Sequence, residues 1–384
     1  MSYYNHNVTL NQGFAPYLLT DMAGVALKDT SKTMDNHGYL TYLLSQDRPE
    51  ILNLVNGNGH AKAVQVKKKK RLTASHVRDS ISCDYTSNNP YTEFNVNVSS
   101  TASIGMSLDD RLLYQYNDEM SRQVAIPGST PSTSVSMELF EIILSGVNAI
   151  NEKVNLDLFT AAVAEFGVNI ATGNNAAKTI NLNKDTNINP LNNGEIEIMS
   201  DFRLNRMSGR PQIIGDGLWN NYTMSQASAG LNQAGVDSRL RANQFDFYYE
   251  PNASTVMGAN QIMVLENNAV QLVESLRYRG RGGNRPNGNA QGTIMLPVKT
   301  WGANSQEIMR DISYDWQLIY ADCDKEFTDT YSGDPVILSQ GWNMVISKES
   351  GIVTIPDDAY SPEDPLAGVR GSLRYAVTND CETC

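Results

Sequence analysis

The chain has 384 residues, 41% apolar and 19% charged, which is enough to bury a sizeable core in one elaborate domain or in two or three lobes. Its 30 Lys and Arg stand against 42 Asp and Glu, a formal net charge of −12. Phosphates would repel a surface this acidic, so it cannot coat nucleic acid as a whole, and any DNA contact must be local.

Residues 1 to about 50 are polar and irregular, with a short helical candidate near Tyr39 to Leu44, and residues 1–60 read as an extended arm. Its start, Met1-Ser-Tyr-Tyr-Asn-His-Asn, lacks the basic stretch and apolar core of a secretory signal. Ala61 to Val98 reads as a long hairpin. At one end Ala61, Ala63, Val64 and Val66 interleave with Lys62 and Gln65. At the other, Phe94, Val96 and Val98 alternate with Asn95, Asn97 and Ser99, the period of two that marks a half-buried strand. A two-stranded ribbon is marginal by itself, so this apolar face is expected to need a partner, within the chain or in another copy.

The strongest helical pattern spans 134–167. Leu139, Ile143, Val147, Ile150, Val154, Leu158, Ala162 and Phe166 follow one another at steps of three and four along one face. Pro127 and Pro131 block backward extension, Ser134 or Ser136 can cap, and Gly167 is a natural stop. At about 1.5 Å per residue this helix is roughly 45 to 50 Å long, a spine more than a packing element. Asn174 to Asn193 is a polar insertion. Then come a helix near Glu197 to Met207, a strand at Pro211 to Gly215, and a helix near Leu218 to Ala229. Strands follow at Phe245 to Tyr249, Gln261 to Leu265 and Val270 to Val273, and a Gly- and Arg-rich loop begins at Arg279. Further strands are expected at Thr293 to Leu296, Ser313 to Tyr320, Val336 to Leu338 and Trp342 to Ile346, before an acidic tail over 351–384.

The chemistry-bearing residues form no recognisable catalytic or metal pattern. His6, His37, His60 and His76 lie in the arm or hairpin, away from any Ser, Cys or paired carboxylate that would make a triad or a metal box. Cys381 and Cys384 have half-zinc-site spacing, but Cys83 and Cys323 have no companions, and four sparse cysteines suit a reducing cytoplasm. No run approaches 18 apolar residues, so no membrane-spanning helix is expected. No catalytic residue, cofactor or metal is assigned, and the chain is read as a non-enzyme. The rings of Trp219, Tyr222, Phe245, Phe247, Tyr248 and Tyr249 leave open a carbohydrate-binding module or enzyme, although strand packing explains them equally well.

Charge is segregated. Lys62, Lys67, Lys68, Lys69, Lys70 and Arg71 cluster in the hairpin, and carboxylates dominate from Asp311 onward, among them Asp315, Asp322, Asp324 and Glu326. A basic arm and an acidic region on one molecule suit head-to-tail contact between copies.

Arm, basic hairpin, spine helix, compact α/β lobe and return strands, in this order, resemble the major capsid protein of tailed bacteriophages (Caudoviricetes), the Hong Kong 97-type fold of the α+β class. The likeness is carried further by Gly209-Arg-Pro-Gln-Ile-Ile-Gly215, Gln244-Phe-Asp-Phe-Tyr-Tyr-Glu250 and the run from Gln261 to Val273. It implies an N-terminal arm over 1–60, an E-loop over 61–100, a P-domain over 101–194 and 306–350, and an A-domain over 195–305. It also implies hexamers and pentamers in an icosahedral virion shell around double-stranded DNA bound without sequence specificity, assembled in the bacterial cytoplasm with a portal, a separate scaffold and decoration proteins. Some members crosslink an E-loop Lys to a neighbour's Asn. Lys67 to Lys70 would be the candidates, and the sequence identifies no partner Asn or catalytic Glu. An encapsulin-like compartment of the same fold is the nearest alternative.

Overall fold

In the computed structural model, the residues described are 38–55, 63–69, 91–109, 111, 113, 133–166, 177–181, 194–205, 207–219, 221, 245–275, 283–284, 290–301, 307–328, 335–354 and 371–378. Several expectations fall outside them: the arm before Gly38, the hairpin tip at 70–90, most of the Gly-Arg loop, the helix beyond 221, Tyr222, the four histidines and Cys381 and Cys384.

In chain order the elements are α1 (Gly38–Ser45), β1 (Glu50–Val55), β2 (Ala63–Lys69), β3 (Tyr91–Asn97), β4 (Ser100–Leu108), α2 (Thr133–Phe166), β5 (Lys178–Asn181) and α3 (Gly194–Leu204). They continue with β6 (Gln212–Gly215), β7 (Asp246–Tyr249), α4 (Ala253–Val256), β8 (Gln261–Leu265), β9 (Val270–Ser275), β10 (Gly283–Asn284) and β11 (Ala290–Trp301). The last are β12 (Glu307–Ala321), β13 (Lys325–Thr328), β14 (Pro335–Leu338), β15 (Gly341–Thr354) and β16 (Ser372–Thr378). The chain is α+β.

Two sheets form the body. A six-stranded sheet runs β10-β11-β12-β15-β4, with β9 also on β15. A five-stranded sheet runs β5-β16-β8-β6-β7. Residues 195–305, expected to form one lobe, are shared between them: β6, β7 and β8 lie in the second sheet, β9, β10 and β11 in the first. The acidic tail needs a correction too. Ser372–Thr378 sits inside the five-stranded sheet, antiparallel to β8 and parallel to β5. Leu373, Tyr375 and Val377 alternate with less buried residues and fill its core. A seven-residue strand surrounded by acidic and polar sequence was hidden from a reading based on charge.

The spine α2 lies along one face of the six-stranded sheet. Its expected stripe from Leu139 to Phe166 is buried at every one of the eight positions. Two glycines set how closely the layers approach. A Cβ on Gly146 of α2 would overlap the Met106 sulfur of β4, and one on Gly105 of β4 would overlap Val336 of β14. Positions 105 and 106 point to opposite faces of a strand. The spine therefore covers one face of β4 and the β13–β14 hairpin the other.

Helix α1 is an eight-residue insert with seven buried residues, wedged between the spine and the sheets. Tyr39 packs on Phe159 at 5.2 Å, and Tyr42 meets Tyr248 edge-on at 5.7 Å. A helix this short is unstable alone. Its entry is fixed by side chains from elsewhere. Tyr39 N–H donates to Glu250 Oε2 at 2.9 Å, and Leu40 N–H donates to Asn155 Oδ1 at 2.8 Å. Asn155 Nδ2 donates to the same Glu250 oxygen, while Asn252 donates its N–H and Nδ2 to the other. Glu250 and Asn155 thus each bond one of the free N–H groups that every helix start presents.

Candidate assembly surface

The ribbon carries the basic cluster. β2 pairs antiparallel with both β1 and β3, so the expected two-stranded hairpin is the core of a three-stranded one. Of the two partners expected for its apolar face, another copy or the chain itself, the root has the second. Val64, Val66 and Val96 form a buried cluster with Val273 of β9 and Val353 of β15, inside the same chain. The apolar pattern was read correctly, but its partner came from strands some 200 residues away, a pairing no local pattern encodes. Phe94 stands opposite Val66 in register, and Val98, just past β3, is half-buried.

The basic cluster divides in the same way. Glu93 stands directly opposite Lys67 on β3, so Lys67 faces a carboxylate of its own ribbon, and Glu50 is its register partner on β1. Lys68 and Lys69 continue β2, and Lys62, Lys70 and Arg71 lie outside the described residues.

The root is also held by charge, in a part of the molecule the sequence did not single out. One edge of β15 pairs with β12 up to Ser347 and with β9 from Glu349 onward. At the changeover stands Lys348, whose side chain is 1% exposed. It bonds the Glu274 carboxylate and donates to Ser313 O at 3.0 Å, with its ammonium 5.0 Å from the Tyr314 ring centre. Glu274 also meets Arg48 at 3.8 Å, and Arg48 donates to Asp311 O at 2.6 Å just before β1 begins. The ion pair closes the gap where the sheet splits and ties the segment that launches the ribbon to that point. A lone Lys interrupting an apolar strand pattern was the available signal.

Of the five acidic candidates, Asp315 must be withdrawn from any surface. It is 3% exposed and accepts from Thr293 Oγ1 across the strand pair at 2.7 Å. Asp311 is exposed on β12, and Asp322, Asp324 and Glu326 are exposed where β12 turns into the β13–β14 hairpin. Asp324 accepts from Gln340 N–H at 2.6 Å, which braces that turn.

Of the aromatic residues considered for a ligand site, Trp219, Phe245, Phe247 and Tyr248 serve packing. Trp219 is 1% exposed and meets Phe245 edge-on at 6.4 Å, and Tyr248 is buried on the opposite face of the five-stranded sheet. Tyr249 is exposed. Among the described residues no group of His, Cys, Asp and Glu is placed to hold a metal, and no helix is long and apolar enough to cross a membrane. One cleft of about 840 Å³ opens beside the spine, between Lys153, Leu156 and Ala164 on α2, Thr101 on β4 and Val256 on α4.

No family model matches the chain, and no curated protein matches it. Among solved structures the chain is similar to the capsid of cyanophage P-SCSP1u, with 13% identity over 88% of this chain and 90% of that one, at a TM-score of 0.32. It is similar to a structure from Mycobacterium phage Adephagia, with 10% identity over 90% and 91%, at 0.42. It is also similar to a virus-like particle from Pyrococcus furiosus, with 10% identity over 94% and 96%, at 0.30. Overlays of this closeness leave function to be argued from the chain's own residues.

Proposed function

We propose that this chain is a structural shell subunit, a major capsid protein of the tailed-phage type, whose copies form hexamers and pentamers and close an icosahedral wall around double-stranded DNA. The observation that supports it best is the division of the ribbon. Its root is locked to the body by the valine cluster and by Arg48 and Glu274, while β2 continues in sequence into the basic stretch Lys68 to Arg71, with Glu93 opposite Lys67. An arm held firmly at one end and charged at the other is suited to reaching a neighbour. The matching charge on the same molecule is the exposed group Asp322, Asp324 and Glu326.

In this reading Lys68, Lys69, Lys70 and Arg71 of one copy lie over those carboxylates of the next, with Phe94 and Val98 contributing the apolar part of the contact. Exposed pairs are worth about 0 to 1 kcal/mol each, so the contact matters as a cluster repeated around the shell. Each interface would bury about 1,600 Å². With a net charge of −12 the wall contacts DNA without reading its sequence. Portal, scaffold and decoration proteins would be the partners in assembly, which would take place in the bacterial cytoplasm.

The test is the size of the purified protein by sedimentation velocity and negative-stain microscopy. Closed shells are expected, and a chain that stays monomeric at every concentration and salt rejects the reading. Shells that enclose protein cargo in place of DNA would assign it to an encapsulin-like compartment.

A further inference from the structure

Two of the surfaces that present apolar atoms to solvent have complementary shapes. The first is the outer face of β13–β14. Val336 and Leu338 point inward and are buried, whereas Ile337 between them is 76% exposed, with Glu326 directly opposite it on β13. The second is the cleft beside the spine, where Leu156 is 38% exposed and Ala161, Ala164 and Val256 supply small apolar walls. Lys153 stands at its rim as the lone cation of the lining, 54% exposed and 3.3 Å from Asp157.

These surfaces lie on opposite faces of β4, because the hairpin packs at Gly105 and the spine at Met106. The knob of one molecule cannot reach its own cleft. From this geometry we infer a heterologous contact between copies, in which the β13–β14 hairpin of one chain seats Ile337 in the spine cleft of a second and brings Glu326 to Lys153. The cleft volume admits a branched side chain, Leu156, Ala161, Ala164 and Val256 give it an apolar patch among the polar residues of the lining, and Glu326, the register partner of Ile337, is opposite in sign to the rim cation. A knob and a hole on different faces of one molecule repeat head to tail, which generates rings and lattices in place of a closed dimer. The inference rests on the shell reading and names a second contact within it, which takes Glu326 from the acidic group and leaves Asp322 and Asp324 to the basic ribbon.

The test uses the full chain. Ile337→Asp and Leu156→Arg alter exposed positions and should leave the circular dichroism spectrum and melting temperature of the free subunit unchanged. Each should lower the fraction sedimenting as large particles at least about tenfold, the loss expected when a central apolar anchor is removed. Lys153→Glu and Glu326→Lys should each impair assembly, and the two together should restore it. Normal particles from Ile337→Asp, or a double variant no better than its worse parent, overturn the contact while the shell stands. A wild-type chain that forms no particles removes the shell reading and this contact together.

Discussion

The two sheets of the body carry their charges in opposite ways. The six-stranded sheet is built from strands of up to 15 residues and is antiparallel throughout. Its central strand β15 is buried at all 14 positions, even through Lys348 and Glu349. The five-stranded sheet uses strands of four to seven residues and mixes parallel with antiparallel pairs. It keeps an ion pair at the rim, where Lys178 meets Asp201 at 2.7 Å with side chains 30% and 20% exposed. A long strand that changes partners along one edge needs a polar plug at the changeover. A short strand ends before the problem arises. Ion pairs of similar composition should therefore differ widely in worth, and that difference can be measured.

The largest effect should be alkaline, and it involves both sheets. Burial pushes the phenols of Tyr39, Tyr42, Tyr248, Tyr314 and Tyr375 above their ordinary value of 10.0. Above that pH the unfolded chain ionises these phenols while the fold holds them neutral, so the unfolded chain binds fewer protons. Their contribution is thus complete below about pH 10 and is lost as pH rises, at up to about 1.4 kcal/mol per pH unit for each tyrosine. Circular dichroism and tyrosinate absorbance at rising pH should change together in one steep transition. Separate transitions would mean that the two sheets unfold independently, and the comparison would then apply to two units.

Next in size is Glu274→Gln. It leaves the Lys348 ammonium, 1% exposed, without a counter-charge, and breaking a buried pair costs about 3–5 kcal/mol. Chemical denaturation should show that loss, and Lys348→Met combined with Glu274→Leu should recover most of it. A loss below about 1 kcal/mol for the single variant would place this pair in the same class as the rim pair.

A smaller effect is expected at the junction of the sheets. A Cβ on Gly38 would overlap the Tyr249 carbonyl at the end of β7, which is backbone and cannot swing aside. Gly38→Ala should cost about 1–3 kcal/mol through the shift it forces on α1. Unchanged denaturation would mean that α1 is not seated where Glu250 and Asn155 hold it.

The same contrast explains what the sequence made legible. The spine was clear because its apolar residues recur at helical spacing over most of its 34 residues. Gln261–Leu265 was clear because five residues are enough to show a buried run. β15 was expected to end near Ile346 because Lys348 and Glu349 read as surface, and only Glu274 on another strand makes burial of that lysine tolerable. The ribbon's root was legible as an apolar face, but not as a face already occupied by Val273 and Val353. Local periodicity survives in sequence. Partners brought together across the fold do not, and the candidate surface depends on them at nearly every point. Asp315 looked like its neighbours in composition and was removed from that surface by burial in the sheet, where Thr293 bonds it.

The smallest effect should come from the rim. Lys178 touches Asp201 and, at 3.9 Å, Glu197, but water reaches all three. Asp201 would still accept from Tyr375 Oη at 3.1 Å after Lys178→Ala, so no buried group would lose its last partner. Solvent-screened pairs are worth about 0 to 1 kcal/mol, and the value should shrink further as salt is added. Denaturation midpoints of Lys178→Ala at low and high salt provide the check. A loss approaching that of Glu274→Gln, insensitive to salt, would mean that this pair is shielded from water by something beyond its neighbours in the five-stranded sheet. Burial at the changeover on β15 would then no longer be what separates the two ion pairs.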